Sequence, residues 1–82
     1  MFKPNPKAQV SLTFDKLFGR SVSHSVTGER VMTQGRPAHF LATLRVDGNT
    51  VATARNHDWR RAYKLLKAEV EKLYADGASF GP

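Results

Sequence analysis

One amphipathic segment near the end of this 82-residue chain constrains its fold more than any other feature. At about 100° per residue, its apolar and aromatic side chains fall within one arc of about 120°. They are Trp59, Ala62, Tyr63, Leu66, Val70, Leu73 and Tyr74. The opposite side carries Arg60, Arg61, Lys64 and Lys67. The pattern predicts a helix from about Asp58 to Ala75, closed by Gly77, with one packed face and one cationic face.

The clearest strand precedes that helix. From His39 to Val46 apolar residues alternate, so that one face of the strand carries Phe40, Ala42, Leu44 and Val46. Asp47-Gly48-Asn49 predicts a hairpin turn, because Asp-Gly accepts the positive φ angles that tight hairpins require. Thr50–Arg55 is then the partner strand.

A first strand is predicted over Glu29–Gln34, ended by Gly35-Arg36-Pro37. The small polar segment 20–28 before it is either a loop or a short edge strand. Pro fixes φ and Gly permits a tight bend, so the residues from Gly35 to His39 are interpreted as a rigid loop between strands. Arg36 and His39 would project from that loop. Either the loop inserts into a groove of a ligand, or it is an ordinary connection between strands.

The start of the chain permits two interpretations. Asn5-Pro6 is a typical helix start, and Gly19 stands where a helix-ending glycine belongs. Val10, Phe14, Leu17 and Phe18 form a helical stripe, yet Val10, Leu12 and Phe14 also alternate as in a strand. The capping residues at both ends favour a helix.

These elements predict an α+β fold, a two-layer α-β-β-β-α sandwich. A three-stranded antiparallel sheet would pack against the long C-terminal helix. Residues 6–76 would form a single basic domain, with a flexible leader over 1–5 and a flexible tail over 77–82.

Composition excludes several classes of protein. Cysteine is absent, so disulfides and thiolate metal sites are excluded. The apolar runs are too short for a membrane span, and the N-terminus lacks the apolar stretch of a signal peptide. We therefore expect a cytoplasmic protein without membrane contact. Apolar packing must supply its stability, alone or in a homodimer.

The charge is strongly positive and unevenly distributed. Thirteen Lys and Arg face seven Asp and Glu, a net charge of +6. Residues 1–64 hold 11 basic and 4 acidic side chains, whereas 65–82 hold 2 and 3. Such a balance favours a polyanionic partner.

The basic residues at the start of the last helix are the strongest candidate site. Cations in a first turn are unfavourable by roughly 0.3–1 kcal/mol each, because the helix dipole is positive there. Arg60 and Arg61 together with free backbone N–H groups would suit a phosphate, and Lys64 and Lys67 would extend the contact. The alternative is that Asp58, just before the helix, offsets the two arginines.

The layout resembles the double-stranded-RNA-binding domain. Pro37-Ala38-His39 matches the loop of that family, with Arg36 in place of its Gly, and Arg60 to Lys64 match its basic run. Tyr63 stands where the family has Ala, and the segment before the first strand is longer. The resemblance implies that Arg36, His39, Gln9 and Thr13 contact the minor groove of duplex RNA while the basic run contacts phosphates.

A second resemblance is to the arm-binding domain of phage integrases, which reads DNA with its sheet. It implies that Thr43, Arg45, Thr53 and Arg55 face the nucleic acid.

Nothing in the sequence favours an enzyme. His24, His39 and His57 are far apart and lack metal-ligand spacing, and His57-Asp58 is more typical of a helix cap. We expect no metal, cofactor or catalysis. The sequence predicts a small basic module that binds duplex nucleic acid, RNA ahead of DNA, through phosphates and without strong sequence preference. The alternative is an adaptor or inhibitor, of the kind phages and plasmids encode, that docks on an acidic protein surface.

Overall fold

A computed structural model of the protein describes residues 5–80, without the side chains of Thr33, Arg36 and Pro37. Its elements follow the predicted order of helix, three strands and helix. They are α1 (Pro6–Phe18), β1 (His24–Thr33), β2 (Arg36–Val46), β3 (Asn49–Asn56) and α2 (Trp59–Ala75). The α+β prediction is confirmed. Residues 1–4 and 81–82 of the predicted leader and tail lie outside the described part of the chain.

The first segment is a helix, so its interpretation as a strand is wrong. The Asn5 side chain accepts a hydrogen bond from the Ala8 N–H at 2.7 Å, which satisfies a donor of the first turn. At the other end the Gly19 N–H donates to the Asp15 carbonyl, and Gly19 has a φ of 95°. Val10 and Phe14 are fully buried. The helical stripe, not the alternation, therefore describes this segment.

The sheet is antiparallel with β2 in the centre. Ala42, Leu44 and Val46 on β2 are buried toward the helices, and the alternating residues face the other side. The β2–β3 turn contains Asp47 at φ 53° and Gly48 at φ 81°, as the Asp-Gly pair predicts. The strand alternation is confirmed.

All three strands begin earlier than predicted, β3 by only one residue. β1 starts at His24 instead of Glu29, so residues 24–28 of the segment left open between a loop and an edge strand belong to the strand. β2 starts at Arg36 instead of His39. Antiparallel pairing runs from His24 opposite Val46 to Thr33 opposite Arg36, so the partner strand satisfies the backbone of these residues. The prediction of a rigid loop from Gly35 to His39 is therefore wrong from Arg36 onward. The connection is confined to Gln34 and Gly35.

Both ends of α2 carry capping interactions. The Asp58 carboxylate accepts from the Arg60 N–H at 2.9 Å. At the C-terminal end the Ala78 N–H donates to the Leu73 carbonyl and the Gly77 N–H to the Tyr74 carbonyl, with Gly77 at φ 84°. The buried face of α2 consists of Ala62, Tyr63, Leu66 and Val70.

The two helices lie side by side on one face of the sheet and run in the same direction. Near their C-terminal ends, the rings of Phe18 and Tyr74 meet edge to face at 5.7 Å. Near their N-terminal ends, Pro6 and Arg60 border one groove. Both N-terminal ends therefore lie at the same end of the molecule. The β1–β2 hairpin lies there too, since β3 ends at Asn56 opposite Phe40 and α2 follows directly.

Part of the predicted flexible tail packs on the core. Phe80 contacts the rings of Phe14 and Phe18, with centroids 5.8 and 5.0 Å apart. The tail prediction therefore does not describe this side chain, because two aromatic neighbours at the C-terminal end of α1 partly bury it. Between residues 5 and 80, neither helix is long and apolar enough to cross a membrane.

Candidate functional site

A groove between the start of α1 and the first half of α2 is lined by four basic side chains. It has a volume of about 280 Å³. Its walls are formed by Pro6, Gln9, Arg60, Arg61, Tyr63, Lys64 and Lys67. We call it the interhelical groove. Five of the eight site residues predicted from sequence meet here.

Helical spacing explains why the cations of α2 converge. Arg60, Lys64 and Lys67 are spaced by four and three residues, so they form one row along the helix. Arg60, Arg61 and Lys64 are exposed, whereas Lys67 is half-buried. Within the described part of the chain, none of the four cations of the groove forms an ion pair with a carboxylate. Their charges are therefore available to a ligand.

The wall beside the cations is rigid and aromatic. Tyr63 is only 5% exposed, and burial raises the pKa of its phenol above the ordinary value. Its ring lies edge-on to Phe40 at 5.3 Å and to Trp59 at 6.1 Å. The Arg60 guanidinium lies over the Trp59 ring at 5.4 Å from the centroid, a cation–π contact that restrains this arginine.

The carboxylate of Asp58 lies at the first turn of α2. Because Asp58 accepts from the Arg60 N–H, this backbone donor is not available to a phosphate. The predicted phosphate seat on backbone N–H groups is therefore wrong at Arg60. Asp58 therefore caps the helix at Arg60, while no ion pair between Asp58 and either arginine side chain is present in the described structure. What remains for a ligand is the row of side-chain cations.

The other predicted site residues do not join the groove. Thr13 lies one turn beyond Gln9 on α1 and is half-buried. His39 pairs with Val31 and, by strand alternation, faces away from the helices. Arg36 lies at the start of β2, and its side chain is outside the described part of the structure. His39 and the cations of α2 are therefore on opposite sides of the sheet.

The residues that the integrase arm-binding resemblance implies lie together on the face of the sheet that the helices do not cover. Thr43 pairs with Thr53, and Arg45 and Arg55 lie on the same side of the sheet. Both arginines and Thr53 are exposed, whereas Thr43 is 9% exposed among its neighbours. The two resemblances thus imply opposite faces of the molecule, and the larger group of cations lies on the helical side.

One side-chain cluster was not predicted from the sequence. The Ser11 Oγ lies 2.6 Å from the Nε2 of His24, whose Nδ1 is 3.7 Å from the Asp15 carboxylate. The ring of His24 also stacks on Phe14 at 4.4 Å. Ser11 and Asp15 are four residues apart on α1, which was visible in the sequence, but the approach of β1 was not. The cluster links α1 to the first strand.

No group of three or more His, Asp or Glu side chains in the described structure is arranged to hold a metal ion. Comparison with protein-family models finds no match. Curated proteins and solved structures likewise show no match to this chain.

Proposed function

We propose that this protein is a non-catalytic module that binds duplex nucleic acid, RNA ahead of DNA, in the interhelical groove. The observation that supports the proposal most is that four cations line this groove and no acidic side chain does. Phosphates are spaced regularly along a nucleic acid, so a row of cations one helical turn apart contacts several of them. Such contacts carry no base information, so the binding has little sequence preference.

The preference for RNA rests on the polar wall of α1. Gln9 borders the same groove as the cations, whereas Thr13, one turn later on α1, lies outside it. A side-chain amide at this position hydrogen-bonds to a ribose 2′-hydroxyl, which DNA lacks. Gln9→Ala should therefore weaken binding to duplex RNA more than binding to duplex DNA of the same sequence.

The test compares two triple variants with the same change in net charge. One is Arg60→Gln/Lys64→Gln/Lys67→Gln in the groove, and the other is Lys16→Gln/Arg20→Gln/Lys72→Gln at exposed sites outside it. Affinity for duplex RNA, duplex DNA, single strands and polyglutamate is measured by fluorescence polarisation at fixed salt. We expect the groove variant to lose duplex binding while the matched variant keeps most of it.

Two results would contradict the proposal. Equal losses in both triple variants would mean that net charge alone attracts the ligand. Binding to polyglutamate, with no binding to any nucleic acid, would make the groove a docking site for an acidic protein surface.

A further inference from the structure

A second groove lies on the other side of α2, between this helix and the end of β3. Its walls are formed by Asn56, Arg61, Lys64, Leu65 and Ala68, and its volume is about 490 Å³. We call it the lateral groove. The residue pattern did not predict it, because Leu65 falls outside the apolar arc of α2.

The two grooves share a wall. Arg61 and Lys64 border both the interhelical groove and the lateral groove. They are three residues apart on α2, so their side chains are neighbours and place positive charge between the two grooves. Among the described residues, no acidic side chain lines either groove. A polyanion in one groove is therefore attracted onward across the helix into the other.

The lining of the lateral groove includes exposed apolar side chains beside its cations. Leu65 is 46% exposed, and Ala68 is exposed beside it. Apolar lining residues beside two cations suit the repeating chemistry of a nucleic-acid strand, in which apolar sugar carbons alternate with charged phosphates. An isolated anion such as free phosphate gains nothing from the apolar part.

We propose that one strand of the bound nucleic acid crosses α2 at Arg61 and Lys64, with phosphates in both grooves. This inference rests on the proposed function and extends it to the second groove. A helix with its side chains is about 10–12 Å across. At about 3.4 Å of rise per nucleotide along the axis of a DNA duplex, this width corresponds to about three to four nucleotides. A mononucleotide reaches only one groove.

The experiment places a carboxylate in the lateral groove without removing a cation. Ala68→Glu is compared with Ala75→Glu, the same change at another exposed position of α2 that lines neither groove. The probe is a long RNA duplex, and folding is checked by circular dichroism. We expect Ala68→Glu to weaken binding at least about tenfold relative to Ala75→Glu, a difference of about 1.4 kcal/mol.

An isosteric pair keeps the inference testable if Ala68→Glu fails to fold. Asn56→Asp adds a negative charge on the other wall and retains the oxygen that accepts from the Asp58 N–H at 2.9 Å. Its control is Asn49→Asp at the opposite end of β3. We again expect weaker binding only for the variant in the groove.

The outcomes separate this inference from the proposed function. If both lateral variants bind like their controls while the interhelical triple variant loses binding, the strand does not enter the lateral groove and the proposed function stands. If the wild-type protein binds no nucleic acid, both proposals fall together.

Discussion

The hydroxyl of Tyr63 on α2 lies so close to the backbone of Gly28 on β1 that a Cβ at position 28 would overlap it. The same Cβ would also overlap the ring of Phe40. Gly28 pairs with Ala42 on the side of the sheet that faces the helices. Because this strand position has no side chain, Phe40 and Tyr63 close over it, and Tyr63 is held as the wall of the interhelical groove.

Gly28→Ala should therefore destabilise the protein. Overpacking of this kind costs about 1–3 kcal/mol of unfolding free energy. The sign of the change in unfolding free energy distinguishes this close contact from an ordinary strand position. At an ordinary position Gly is about 0.5–1 kcal/mol less favourable than Ala, so the substitution would stabilise the protein. Urea denaturation measures the change. The double variant with Tyr63→Phe should recover part of the loss, and a Gly28→Ala protein more stable than wild type would contradict the close contact.

Tyr63 should make stability depend on pH in the alkaline range. Burial raises the pKa of its phenol above the ordinary 10.0. The folded state therefore holds this proton more tightly than the unfolded chain, and stability falls as pH rises above the unfolded pKa of about 10. Lysines titrate in the same range, so the measured quantity is the difference in unfolding free energy between wild type and Tyr63→Phe. We expect this difference to be constant at neutral pH and to shift against the wild type above about pH 10. A constant difference throughout would contradict the effect.

Two adjacent leucines test the orientation of α2. Leu66 is fully buried, whereas Leu65 is 46% exposed. Leu66→Ala should destabilise by roughly 2–5 kcal/mol. Leu65→Ala should stay within about 0.5 kcal/mol of wild type, as most exposed substitutions do. Chemical denaturation of both variants measures the contrast, and its reversal would mean that the helix is rotated.

Reversing two charges should separate folding from binding. In Arg60→Glu/Arg61→Glu, carboxylates replace cations at the positive end of the α2 dipole, which is favourable by about 0.3–1 kcal/mol each at exposed sites. Repulsion by Asp58 opposes part of this gain. We expect a melting temperature close to that of wild type and loss of nucleic-acid binding. If the folded double variant retains binding, these arginines do not contact the nucleic acid.

Salt should weaken binding in proportion to the phosphates contacted. With the four cations of the interhelical groove engaged, affinity for duplex DNA falls roughly 10²-fold between about 50 and 200 mM salt. The Arg60→Gln/Lys64→Gln/Lys67→Gln variant should show a much shallower slope. The matched variant at Lys16, Arg20 and Lys72 should keep the wild-type slope. An equally steep slope in the groove variant would exclude these cations as phosphate contacts.

The fold was predictable where the sequence carries local signals. Asn5 and Gly19 mark the ends of α1, Asp58 and Gly77 mark those of α2, and Asp47-Gly48 marks the hairpin. The start of β1 has no such signal. Residues 24–28 are mostly small and polar, and they become a strand because β2 pairs with them. Gly28 lies in the segment left open between a loop and an edge strand, and its contact with Tyr63 is tertiary information.

The candidate site was predictable to the extent that it lies on one helix. Helical spacing alone aligns Arg60, Lys64 and Lys67. Gln9 joins them only because α1 packs beside α2, which is tertiary information. His39 was assigned to the same surface because Gly35 and Pro37 suggested a loop. Once β2 extends back to Arg36, alternation along the strand turns His39 to the opposite side.

The parallel direction of the two helices has a consequence for how a ligand first arrives. Each helix carries roughly half a positive elementary charge at its N-terminal end, and here both ends lie beside Arg60 and Arg61. Under the proposed function, the field at that end would orient the molecule toward a phosphate backbone before contact, within a screening distance of about 8 Å at physiological salt. Collisions then occur mostly with the groove already facing the ligand. Added salt should consequently slow association more than the change in diffusion alone explains.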